Sequence, residues 1–175
     1  LQHISPRLVA KHESFGPLAD AISASTTVVF EYRKSDGSQS VREVDPLKLR
    51  LIEGEWVLLA REREAIKNFL LRRIVSKVKD TEAVFVPPSD ALITQAEQDL
   101  VAFAASNVAV IEIVPDSEAW WHFGAESEQL ELNFMDEALM AEDLMEFGAD
   151  LKVLGPKSLA DRIQSGFEAV ISSHA

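Results

Sequence analysis

The chain has no cysteine among its 175 residues, so disulfides, thiolate zinc sites and thiol nucleophiles are excluded. It has no run of about 18 apolar residues, so no span of a membrane by an apolar helix is expected. No charged-then-apolar leader opens it. The Gly-rich phosphate loop, His-Glu-x-x-His and Gly-x-Ser-x-Gly are all missing. His122 has no metal partner at ligand spacing, and His3, His12 and His174 lie near the termini. The carboxylate pairs Asp136-Glu137 and Glu142-Asp143 fit the solvated face of a helix. These absences argue against an enzyme, a metal site and a cofactor, and they fit a cytoplasmic protein.

Cations are scarce as well, 17 Lys and Arg against 29 Asp and Glu. Their distribution is the informative part. Residues 33–79 hold 12 of the 17 cations against 7 carboxylates, whereas residues 80–175 hold 3 cations against 19. A cationic segment inside an acidic chain points to an anionic partner.

The chain begins at Leu1 without an initiator Met, as a piece of a longer protein would. Residues 1–24 read as an arm and a short helix, with Phe15, Leu18, Ala19 and Ile22 at helical spacing. Val28, Phe30 and Tyr32 alternate as a strand, and Asp36-Gly37 turns it. Residues 41–45 read as the return strand, with Pro46 marking a bend. Leu47, Leu49 and Leu51 give a strand with Lys48 and Arg50 outward; Glu53-Gly54-Glu55 is a turn, and Trp56–Ala60 is the next strand. Residues 61–66 read as a charged loop or helical turn, and 69–75 as another strand. Close spacing leaves no room for crossover helices, so 25–87 is expected to be a small antiparallel barrel. Pro87-Pro88-Ser89-Asp90 ends it, and 88–107 is a linker helix with Leu92, Ala96, Leu100, Phe103 and Ala104 on one face. Residues 108–175 alternate strand and helix, an α+β extension with Val170 among the inward residues of its last helix. In it Trp120 and Phe123 share a helix face while Trp121 points elsewhere, toward a dimer partner.

Four motifs occur in order: Phe30-Glu31-Tyr32, Arg42-Glu43-Val44-Asp45-Pro46-Leu47, Gly54-Glu55-Trp56-Val57-Leu58 and Phe69-Leu70-Leu71-Arg72-Arg73-Ile74. With them the sequence resembles the WYL domain of bacterial transcriptional regulators. The naming triplet reads Trp56-Val57-Leu58, and the usual Asp-Arg-Ile reads Arg72-Arg73-Ile74. Ala109–Ile113 and Phe147–Pro156 resemble the extension that often follows it, as in the proteasome-accessory-factor type. The resemblance implies an Sm- or SH3-like barrel, then a ferredoxin-like α/β sandwich. It also implies a winged helix-turn-helix upstream, a single-stranded DNA or nucleotide signal, and a bacterial cytoplasmic, nucleoid-associated setting.

The candidate ligand residues are Tyr32, Arg33, Arg42, Trp56, Arg61, Arg72 and Arg73. Arg forks suit phosphate and stack on bases. Arg73 shares the apolar parity of Phe69 and Leu71, so it lines a pocket or pairs with a core carboxylate such as Glu31 or Glu43. Arg42 is a ligand contact or a solvated strand residue. Tyr32 is a stacking platform or a core tyrosine, and Trp56 a core residue at its strand. The partner is a nucleic acid or nucleotide; two other readings stand, an interaction module for an acidic protein segment and a sensor of a small anionic metabolite. A homo- or heterodimer through the extension is expected, and no membrane.

Overall fold

The computed structural model describes residues 1–3 and 11–174, and the side chains to 169. Val170, expected inward, lies outside the described side chains. In chain order the elements are β1 (Gln2–His3), α1 (Phe15–Ala24), β2 (Thr26–Arg33), β3 (Gln39–Ile52), β4 (Glu55–Glu62), β5 (Ala65–Leu70), a 3-10 turn Leu71–Arg73, β6 (Lys79–Val84) and α2 (Asp90–Ser106). There follow β7 (Val108–Ile113), α3 (Glu118–Phe123), β8 (Gln129–Asn133), α4 (Glu137–Met145), a 3-10 turn Gly148–Asp150, β9 (Leu151–Gly155) and α5 (Lys157–His174). The described residues divide into two compact units, 11–103 and 1–3 with 104–174. Among them no helix is long and apolar enough to cross a membrane, and no group of three or more His, Cys, Asp or Glu is placed to hold a metal ion.

The first unit is a five-stranded antiparallel sheet in the order β5-β4-β3-β2-β6. Period-two alternation builds its inner face. Val28, Phe30 and Tyr32 of β2 lie opposite Val44, Arg42 and Ser40 of β3. On β4, Leu58 and Ala60 continue that face to Phe69 and Lys67 of β5. Leu18 and Ala21 of α1 complete the core with Phe30, Leu58, Phe69 and Leu71. Among the described residues no ladder joins the outer strands β5 and β6; one bridge, Tyr32 to Ile74, stands outside the ladders. The expected barrel is thus observed as an open antiparallel sheet packed on a helix.

Three local readings change. The two strands expected at 41–45 and 47–51 are one 14-residue strand, β3, which pairs with β2 by its first half and β4 by its second. Its register shifts between Pro46 and Lys48, where the missing proline N–H does not interrupt a regular ladder. The segment 61–66 is the end of β4, a two-residue turn and the start of β5. The expected strand 69–75 stops at Leu70 and becomes a 3-10 turn, so Val75 is exposed while Arg73 stays buried. On α2, Ser89 caps the helix, accepting from Leu92 N–H. Leu100 is buried, but Leu92 and Phe103 of the expected apolar face are exposed.

The second unit is a four-stranded sheet in the order β1-β8-β7-β9. β7 is antiparallel to both β8 and β9, and β1 is parallel to β8. The strands β8 and β9 thus flank β7 as a split β-α-β unit, the element a ferredoxin-like sandwich contains, while the fourth strand comes from the chain start. Ile111, Leu130, Leu144 and Leu159 anchor its core. Ser117 caps α3 and Asp136 caps α4 through side-chain oxygens. Trp120 and Phe123 pack against this core, and Trp121 is 69% exposed.

Candidate functional site

Strand parity sorts the seven expected residues. Tyr32 and Arg42 meet on the inner face of the sheet. The Arg42 guanidinium lies over the rings of Tyr32 and Phe69, 5.9 and 5.6 Å from their centroids. Its Nε donates to Ser40 Oγ at 3.0 Å, and its Nη1 donates to Glu62 Oε1 at 2.9 Å. Lys67 Nζ reaches the same oxygen at 2.8 Å. Sequence reasoning missed Glu62 and Lys67, which make this a cluster of two cations on one carboxylate. Burial works to raise the Glu62 pKa, but the hydrogen bond from Lys67 and the charge of Arg42 prevail and hold it below the ordinary glutamate range.

Tyr32 is not a platform. Its ring is buried edge-on against Phe30 and Phe69. Its Oη accepts a hydrogen bond from the buried Leu70 N–H at 2.9 Å. Tyr32→Phe should therefore destabilise the first unit by about 1–3 kcal/mol, the cost of leaving a buried amide without that acceptor. Urea denaturation will check it.

The other five residues lie apart. Arg61 is on the opposite face, donating from Nε and Nη2 to Asp45 Oδ2 at 3.1 and 2.9 Å and from Nη2 to Val86 O. Arg33 ends β2 on that opposite parity and is exposed. Glu31 and Glu43, the carboxylates considered for Arg73, are exposed on the same opposite parity. Arg72 is held by the buried Glu55, its Nε 3.1 Å from Oε2. The acid-to-base change at this position is thus answered by a carboxylate at the start of β4. Arg73 is buried beside Leu71 and Ile74. Trp56 packs edge-on against Phe15, 4.9 Å between centroids, as a half-buried core residue. The seven do not form one surface.

A second carboxylate hub lies where α2 meets β3. Glu97 Oε2 stands 2.9 Å from Lys48 Nζ and 3.0 Å from Arg50 Nη1, ion pairs without well-aligned hydrogen-bond geometry. Lys48 foremost, then Arg50, holds the Glu97 carboxyl below its usual range against the opposing effect of burial. The outward cations of β3 are thereby partly neutralised by the chain itself.

Comparison with known proteins places this sheet. Residues 13–79, from α1 to the start of β6, match the WYL domain family. This segment is a WYL domain. It is 30% identical over 158 residues to Protein PafC of Mycobacterium tuberculosis, covering 82% of this chain and 49% of that protein. It is 26% identical over 184 residues to Protein PafB of Mycobacterium bovis, covering 93% of this chain and 54% of that one. The chain thus spans about half the length of the curated relatives it matches. Among solved structures, Proteasome accessory factor B/C (PafBC) of Arthrobacter aurescens superposes with a TM-score of 0.60 at 25% identity. That match covers 91% of this WYL-domain chain and 27% of the PafBC chain.

Proposed function

We propose that this chain is the ligand-sensing part of a bacterial transcription regulator, and that the inner face of its WYL sheet takes a nucleic-acid or nucleotide ligand at Arg42 and Lys67. The observation that carries the reading is the meeting of these two cations on one carboxylate, the Arg42 side chain 17% and the Lys67 side chain 46% exposed, in a chain of net charge −12. Similarity to PafC and PafB extends through both units, which favours a regulatory role over a catalytic one. On this reading the sheet corresponds to the family's Sm-like barrel, and the part of the relatives this chain does not span supplies the DNA reader. The second unit serves subunit pairing, for which exposed Trp121, Val114 and Leu154 offer apolar surface. Coupling then requires two arrangements that differ in ligand affinity. The setting is the bacterial cytoplasm, on the nucleoid when DNA is bound.

Fluorescence anisotropy with a labelled single-stranded oligonucleotide tests this. Two phosphate contacts give a log–log salt slope of about −1.4, from about −0.7 per contact. Arg42→Ala and Lys67→Ala should each weaken binding about tenfold, the loss of one charge-assisted contact, with the circular dichroism spectrum unchanged. Unchanged affinity in both variants would remove the site. Binding of an acidic peptide in place of the oligonucleotide would transfer the cluster to a protein partner.

A further inference from the structure

The cluster on the inner face already holds an anion of its own. Arg42 and Lys67 both meet Glu62 Oε1, at 2.9 and 2.8 Å. The Glu62 side chain is 11% exposed and that of Lys67 is 46% exposed. An arriving ligand therefore meets no bare cation pair. It must share Lys67 with Glu62 or take the place of Glu62.

The neighbouring rings narrow the choice of ligand. Tyr32 and Phe69 are buried beneath Arg42, 9% and 2% exposed, so neither offers a face on which a base could stack. Phosphate chemistry is what remains. An internal phosphodiester carries a single negative charge, the same as the carboxylate it would displace. Such an exchange gains no charge attraction and leaves a buried carboxylate without its cations, which is costly. A terminal phosphomonoester carries about −1.5 to −2 charges at neutral pH and three strong acceptor oxygens. It can engage the Arg42 fork and the Lys67 ammonium together.

We infer that the Arg42–Glu62–Lys67 cluster is a site for a terminal phosphomonoester, as carried by a mononucleotide or by the end of a nucleic-acid strand, with Glu62 the resident anion that the phosphate displaces. This rests on the nucleic-acid reading above and narrows it, from the body of a strand to its end. Glu62 thereby sets specificity: it raises the threshold against phosphodiesters more than against monoesters.

The test is a competition titration on the full chain. A labelled oligonucleotide with hydroxyl ends is displaced by unlabelled oligonucleotides of one sequence bearing a 5′-phosphate, a 3′-phosphate or hydroxyl ends, and by inorganic phosphate. A phosphate-ended competitor should act at about fivefold lower concentration, the size of one added partly exposed charge contact. The two phosphate arms distinguish the ends. Glu62→Gln should tighten the hydroxyl-ended oligonucleotide and erase the preference. Lys67→Ala, at a more exposed position, should also erase it without threatening the fold. Equal competition by all ends overturns the inference. So does a Glu62→Gln variant, folded by circular dichroism, that weakens every ligand, because Glu62 then only positions Arg42. Oligonucleotide binding that depends on Arg42 but ignores the ends sinks this inference and leaves the broader reading standing. Absence of oligonucleotide binding, with or without a 5′- or 3′-phosphate, sinks both.

Discussion

Phe30→Ala should lower the stability of the WYL unit by about 3–5 kcal/mol, among the largest effects available to a single substitution here. Phe30 is 1% exposed and sits at the centre of the inner face. Its ring meets Phe69 at 5.5 Å and 84°, and Tyr32 at 6.3 Å and 61°. Truncation removes the buried ring, both edge-to-face contacts and the support under Tyr32, and it leaves a cavity. Against a total stability of about 5–15 kcal/mol for a domain, such a loss is large. Urea denaturation followed by circular dichroism will measure it. Val41→Ala, on the other face of the next strand and 68% exposed, is the control and should stay within about 0.5 kcal/mol. Equal midpoints for the two variants would show that the ring does not anchor this core. Because Arg42 lies over Phe69, the same substitution should also loosen the proposed anion site.

In the second unit the corresponding substitution is Ile111→Ala, with an expected loss of about 2–5 kcal/mol. Ile111 is 0% exposed. It lies on the central strand β7, opposite Leu130 on one side and Val153 on the other. A cavity there cannot be filled by movement of a free edge, since ladders run along both sides of β7. Val108→Ala on the same strand, 38% exposed, should cost far less. Denaturation in a background where Trp56 is replaced by Phe leaves Trp120 and Trp121 as local fluorescent probes. An Ile111→Ala midpoint equal to that of Val108→Ala would contradict this account of the core.

Much of the fold was legible because both cores are written in simple periods. The alternation Val28, Phe30, Tyr32 gave β2 its faces. The helix in front of β2 followed from the spacing of Phe15, Leu18 and Ile22. The candidate site was only half legible, and one turn explains why. Arg63 and Glu64 connect β4 to β5 with φ of 51° and 72°. Two-residue hairpin turns with positive φ are normally signalled by Asn or Gly. Here two charged residues occupy them, so the segment read as a loop and the strand seemed to stop at Ala60. Extending the parity of Leu58 and Ala60 by one more step places Glu62 on the inner face, and the hairpin then carries Lys67 to it. The 69–75 segment failed for the opposite reason. Its apolar spacing imitates a strand, while the chain turns at Leu71–Arg73 to bring Ile74 back against Tyr32. Pairing of β1 with β8 was invisible because two residues carry no period. The clustering of cations in sequence overstated their clustering in space: Glu55, Glu62, Asp45 and Glu97 each claim part of the positive charge.

Before Pro46 the even-numbered residues of β3 look inward, as Arg42 and Val44 do; after Lys48 the odd-numbered ones do, as Leu49 and Leu51 do opposite Leu58 and Trp56. A ladder that kept all these residues but ran through the join without the shift would carry the even-numbered parity onward, driving an ammonium and a guanidinium into the oily side of the sheet and turning two leucines out to water. The irregular step in the ladder is therefore what lets a single long ribbon serve a hydrophobic interior and a charged flank at once.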